Sequence, residues 1–157
     1  MTSETNIPFM TESRASERPM VYDPLRRKEV ALTPEEGVRQ GIVRHLIDKL
    51  GYPPELMGNE VALRVGKLSR RCDTLVIAPD RSPLMIIEYK APSIRLSDAV
   101  LEQIYRYNSV LRVPVLVITN GREIYAYLVG YDGEETRLLS RLPSYPELLT
   151  LTRRDCP

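Results

Sequence analysis

At 157 residues the chain has the length of one domain, long enough to bury a sizeable core and too short for a multidomain machine. Its 43% apolar and 27% charged residues are those of a globular domain, and a formal net charge of +1 leaves any nucleic-acid binding to a local patch. Cys72 and Cys156 have neither CxxC spacing nor a histidine cluster, which argues against a zinc site or disulfide framework, and no apolar run approaches the ~18 residues of a membrane helix. The expectation is a cytoplasmic protein with no membrane contact.

Residues 1–20, rich in Ser, Thr, Glu and Pro, read as a flexible arm. Residues 22–28 read as a basic turn and 30–32 as a short apolar step against the edge of the domain. A helix start follows, with Thr33 as N-cap, Pro34 at the first helical position and Glu36 completing a capping box. Val38, Ile42, Val43, Leu46, Ile47 and Leu50 continue at helical spacing until Gly51 ends the run. Val61, Leu63 and Val65 alternate with Ala62 and Arg64, which predicts a strand. From residue 39 to 71 seven Lys or Arg face three acids, so Arg64, Lys67, Arg70 and Arg71 form a modest basic rim that either meets phosphates or is simply solvated.

The most informative stretch is residues 71–92. Two apolar runs, 74–78 and 84–87, flank Pro79-Asp80-Arg81-Ser82 and predict a β-hairpin. Pairing that is symmetric about Asp80 and Arg81 sets Ala78 opposite Pro83 and Asp73 opposite Glu88. Lys90, two residues past Glu88, then projects to the same side. Three charges meet at one end of an apolar hairpin, where charges are costly unless paired or bound to a metal.

Beyond the hairpin, Ser97 is the predicted N-cap of a second helix whose stripe is Val100, Leu101, Ile104 and Leu111, with Gln103 and Tyr107 four apart on one face. Pro114 opens a strand over 115–119, Asn120-Gly121 turns the chain, and 124–129 return. A strand–helix–strand run implies a right-handed parallel crossover. The predicted order is αβββαβ with an added strand: an α/β domain with a mixed sheet flanked by helices. Residues 21–130 make up the domain, and 131–157 a loop and short tail extending it.

Asp73 and Glu88 are the hard oxygen ligands that Mg²⁺ or Mn²⁺ prefers, and the backbone carbonyl of Tyr89 is a candidate third ligand. Lys90 beside them suits stabilisation of a phosphoryl group under attack. Asp, a spacer and then Glu-x-Lys resembles the PD-(D/E)XK phosphodiesterase superfamily, whose restriction-endonuclease-like αβββαβ core matches the derived order. More narrowly, TPEEGVRQ, RRCDTLVI, IIEYKAPS, LEQIYRYN and VITNG resemble the N-terminal nuclease domain of type I restriction-enzyme R subunits over about two-thirds of the chain. The resemblance implies a metal-dependent DNA endonuclease with Asp73 and Glu88 as metal ligands and Lys90 as catalytic lysine. It further implies that Gln103 and Tyr107 orient substrate beside the site and that Glu36 is a first-helix acid that completes it. Cys72 stands where the superfamily's name has Pro, and Tyr89 where a small residue or Cys is common. Implied partners are DNA and other restriction-modification or helicase subunits. Pairing of two copies, which would bring two sites to two strands, is compatible with the sequence, although no stripe marks an interface. The alternative is a catalytically inactive nucleic-acid-binding or partner-docking module that retains the fold. A purely structural ion cluster is the bland reading of the three charges.

Overall fold

The computed structural model describes residues 18–153. Most of the arm expected over 1–20 therefore lies outside the described residues, and Met20 already opens a strand. Strands β1 (Met20–Asp23) and β2 (Lys28–Ala31) form a small antiparallel hairpin, where a turn and an apolar step were expected. Asp23 is the reason: its Oδ1 accepts from the Leu25 N–H at 2.7 Å and the Arg26 N–H at 3.0 Å, which winds residues 24–27 into a turn.

Helix α1 (Pro34–Leu50) begins where the sequence predicts, with Thr33 Oγ1 accepting from the Glu36 N–H at 3.1 Å, and Gly51 closes it at φ 72°. A six-stranded sheet follows in spatial order β3 (Met57–Val65), β4 (Leu68–Ile77), β5 (Pro83–Tyr89), β6 (Val115–Thr119), β7 (Ile124–Leu128) and β8 (Arg137–Leu138). Its pairs are antiparallel except β5–β6, which helix α2 (Asp98–Ser109) joins as a parallel crossover. Alternation sorts the central strands into two cores. Met85, Ile87, Val115 and Val117 pack toward α1 and the C-terminal helix α3 (Tyr145–Leu151), whereas Ile86, Leu116 and Ile118 pack toward α2. Burying one such side chain is worth about 1.5–3 kcal/mol, so these two runs fix the register strongly. Helix α3 is a full member of the first core through buried Tyr145 and Leu148.

The predicted hairpin exists with one change in its turn. Thr74 pairs with Ile87, but a register shift at Val76/Ile77 sets Pro83 opposite Ile77, so Ala78 does not face Pro83. The irregularity absorbs one residue near the turn, where Ala78 N–H instead donates to the Ser82 carbonyl, and leaves the pairs Thr74–Ile87, Leu75–Ile86 and Val76–Met85, next to Asp73 and Glu88, in the derived alignment.

One further irregularity sits at Asp73 itself. Between the β3–β4 pairs Asn59–Thr74 and Val61–Cys72, Glu60 adopts φ 56°. A straight ribbon would keep Asn59 and Val61 on one face. Here Asn59 and Thr74 hydrogen-bond on the α1 side, while Val61 and Cys72 join the α2 core. The β3–β4 ribbon thus swings over at Glu60 and Asp73, and its distal half lies across the α2 side, where Leu63 and Val65 share a groove with Leu84, Leu111 and Val113. A non-glycine residue at positive φ costs on the order of 1–2 kcal/mol, offset here by ion pairs from Glu60 to Arg39 at 2.8 Å and to Arg71 at 2.9 Å.

Candidate active site

Because Ile86 packs toward α2, Glu88 and then Lys90 fall on that same side of β5. Both line a cleft of about 360 Å³ whose other wall is α2, contributing Gln103, Tyr107 and Asn108, and whose rim includes Ile94. Asp73 sits beside them at the ribbon's corner and is held on two sides. The Tyr89 N–H donates to its Oδ2 at 3.0 Å, and Arg39 Nη1 donates to its backbone carbonyl at 2.8 Å. The Glu88 carboxyl is pushed up to about 8 by burial first, then by the Asp73 charge and the hydrogen bond it shares with Asp73; the Asn108 amide and Lys90 oppose the shift. The Glu88 carboxyl so placed favours its protonated form.

The loop after Lys90 is pinned at both ends. The Lys90 N–H donates to the Thr119 carbonyl at 2.9 Å, and Asn120 Nδ2 donates to the Ile94 carbonyl at 2.8 Å. Asn120 Oδ1 meanwhile accepts from the Arg122 and Glu123 N–H groups, each at 2.9 Å. Gly121, at φ 86°, turns tightly enough that a Cβ there would meet Val38 Cγ2 at 3.2 Å. The Asn120-Gly121 turn is therefore also the latch on the loop that follows Lys90.

Two neighbouring first-turn acids have different surroundings. Glu36 is buried, and its Oε1 accepts from Arg26 Nη2 and from Gln40 Nε2 at 3.1 Å, while Arg39 Nε lies 3.0 Å from its Oε2 with the N–H turned off that line. Its carboxylate therefore does not return to the Thr33 N–H, which donates to the Ala31 carbonyl, so only half of the expected capping box forms. Glu35 is the acid that feels the cluster: burial, then the Asp73 charge, raise its carboxyl above the ordinary range, with Arg39 and Lys90 opposing. Arg39 is the hub beneath the site. Its guanidinium reaches Asp73, Glu60 and Glu36 and lies 5.4 Å from the centroid of the Tyr89 ring.

The four basic candidates diverge. Arg70 stacks on Tyr107 at 4.5 Å and Arg71 pairs with Glu60, whereas Arg64 lines the groove at the opposite end of the sheet and Lys67 sits in the β3–β4 turn. The structure thus gathers Asp73, Glu88, Lys90, Gln103 and Tyr107, with Arg70 behind Tyr107, and sets Glu36, Arg64 and Lys67 apart. Sequence reasoning passed over Glu35, Arg39, Asn108 and Asn120's second role. Arg39 and Asn108 had a legible signal: each interrupts an apolar stripe, Arg39 before Val43 and Leu46, Asn108 between Ile104 and Leu111. Among the described residues no group of three His, Cys, Asp or Glu side chains is gathered to hold a metal, and no helix is long and apolar enough to cross a membrane.

A mixed six-stranded sheet between helices, with a parallel β5–α2–β6 crossover, defines an α/β domain of the restriction-endonuclease-like fold. The chain belongs to the family described as the type I restriction enzyme R protein N terminus (HSDR_N), whose model matches residues 34–143. A solved fragment described as an HsdR subunit of a type I restriction enzyme from Vibrio vulnificus YJ016 shares the fold, with a TM-score of 0.54 and 22% identity over 76% of this chain. The chain spans 25% of that structure. No curated protein matches it.

Proposed function

We propose that this domain is a metal-dependent phosphodiesterase, a DNA endonuclease of the type I R-subunit N-terminal kind. The observation that carries the reading is the meeting of Glu88, Lys90, Gln103 and Tyr107 in one cleft, with Asp73 held at its edge by the Tyr89 N–H. The donor set suits Mg²⁺ or Mn²⁺: two hard carboxylates are what Mg²⁺ usually takes from a protein, and a divalent cation would offset both the burial and the Asp73 charge that raise Glu88. Asp73, Glu88 and the Tyr89 carbonyl would hold the ion, which supplies a water of lowered pKa and neutralises charge on phosphoryl oxygens. Lys90 presents its ammonium to the phosphate as negative charge builds there. Gln103 and Tyr107 orient the strand, and Glu35 serves as the first-helix acid in place of Glu36. Arg70 and Arg71 attract the backbone of DNA, and other subunits of a type I restriction assembly are the natural partners.

Purified protein with Mg²⁺ or Mn²⁺ is expected to cut plasmid, linear or branched DNA, and Asp73→Ala to abolish the cutting; equal activity of the two proteins overturns the reading. A second reading, a nucleic-acid-binding or partner-docking module without turnover, draws on the burial that, ahead of Asp73, pushes the Glu88 carboxyl up to about 8 and so favours its uncharged form. Salt-dependent DNA binding with no metal-dependent cleavage would select it.

A further inference from the structure

Tyr107 has more to it than its spacing from Gln103. It is 48% exposed although it lines the cleft that holds Glu88 and Lys90. One face of its ring is covered by the Arg70 guanidinium, which does not itself line the cleft, and the opposite face has no aromatic or second cationic partner among the described residues. On the cleft's rim Ile94 is 43% exposed, and its backbone is fixed by the Asn120 amide. An aromatic ring and an aliphatic side chain thus line the same opening as Lys90. Neither side chain joins the buried clusters, so both stay accessible to a ligand in the cleft.

We propose that this opening is a base-stacking slot: an unpaired nucleobase lies on the free face of Tyr107 and is bounded by Ile94, with its phosphate toward Lys90. The inference rests on the nuclease reading and narrows its substrate to DNA with unpaired nucleotides, such as single strands, overhangs, flaps or frayed ends. A paired base in a duplex has both faces covered by its neighbours in the stack and cannot offer one to Tyr107. Arg70 strengthens the platform from behind, because a cation against one ring face leaves the other to stack while its charge attracts the backbone. Gln103, exposed beside Tyr107, carries both a donor and an acceptor and so meets any base edge, which makes the slot tolerant of sequence.

The test uses the full chain without divalent metal and oligonucleotides bearing 2-aminopurine, either in a single-stranded overhang or inside a blunt duplex. The expected result is fluorescence quenching and tighter binding for the overhang alone. Tyr107→Ala should weaken overhang binding about tenfold or more and remove the quenching, and Tyr107→Phe should keep both, because the ring rather than the hydroxyl stacks. Unchanged thermal unfolding of Tyr107→Ala separates this loss from misfolding. Overhang binding by Tyr107→Ala equal to that of the unsubstituted protein, or a preference of the latter for blunt duplex, overturns the slot. Quenching without any Mn²⁺-dependent cleavage upholds the slot and removes the nuclease reading. Cleavage that Tyr107→Ala retains on overhang substrates at unchanged KM upholds the nuclease reading and removes the slot.

Discussion

Glu35 and Glu36 adjoin in sequence, yet one helical step of about 100° sends them into separate environments. Glu36 is enclosed by Arg26, Arg39 and Gln40, while Glu35 lies in the field of Asp73 and Lys90. The two amide substitutions therefore separate stability from chemistry. Glu36→Gln leaves Arg26 and Arg39 short of a buried counter-charge and is expected to cost about 3 kcal/mol in chemical denaturation, with cleavage per folded molecule retained. Glu35→Gln is expected to leave the unfolding midpoint nearly unchanged and, under the proposed function, to lower metal-dependent cleavage about tenfold or more. The reverse pattern would return Glu36 to the site. Choosing between these neighbours from sequence was not feasible, because the capping-box pattern explained Glu36 by local chemistry and carried no sign that an arginine 10 residues upstream would claim its carboxylate.

Among elements, the segment joining β6 to β7 does more than reverse the chain. Asn120 is buried and makes hydrogen bonds to its own turn and to Ile94, so it couples the end of β6 to the loop that leaves Lys90. Asn120→Ala removes three of these at once and is expected to destabilise the domain by about 2–3 kcal/mol in denaturant titration, with a further drop in cleavage as the loop loosens. A drop in stability alone would confine Asn120 to its turn. The elements themselves were largely readable: caps at Thr33 and Ser97, continuous apolar runs in β5 and β6, and an Asn-Gly turn all left local signatures. The corner at Glu60 and Asp73 left none. Nothing about a glutamate in a strand announces a left-handed φ, which is imposed by packing Val61 and Cys72 onto α2 while Asn59 and Thr74 bond on the other side.

For the molecule as a whole, two carboxyls set opposite limbs of a stability profile. Glu88 is raised to about 8 in the fold, chiefly by burial and by Asp73, against an ordinary value of 4.5. The folded state holds a proton there that the unfolded chain releases, so the stabilisation is complete below about pH 4.5 and is lost as pH rises toward 8. Asp23 works in the other direction. Burial opposes its charge, but Asn59, the Arg26 N–H and side chain, and the Leu25 N–H outweigh that and lower it to about 2 from 3.8. Its contribution is present above about pH 3.8 and is lost as pH falls through 2. Thermal unfolding without metal is expected to show greatest stability in mildly acidic buffer and a decline toward pH 8. Glu88→Gln should flatten that decline, and under the proposed function Mn²⁺ should reverse it. A midpoint independent of pH from 5 to 8 would show that Glu88 ionises as an ordinary glutamate.

Helix α3 has a consequence for the order in which the protein can be made. Its Tyr145 and Leu148 close the same core as Met85 and Ile87, the Tyr145 hydroxyl donates to the Ile77 carbonyl at 3.0 Å, and the Tyr52 hydroxyl donates to the Pro143 carbonyl at 2.9 Å. A nascent chain that has emerged only through residue 130 already contains the sheet's long strands and every residue of the cleft, yet the α1 side of that sheet is still open to water. The first core therefore cannot close until α3 has been made. Helix α3 acts as the closing step for this core, and a chain stopped after Gly130 is expected to give protease-sensitive, aggregating material although no residue of the cleft is missing.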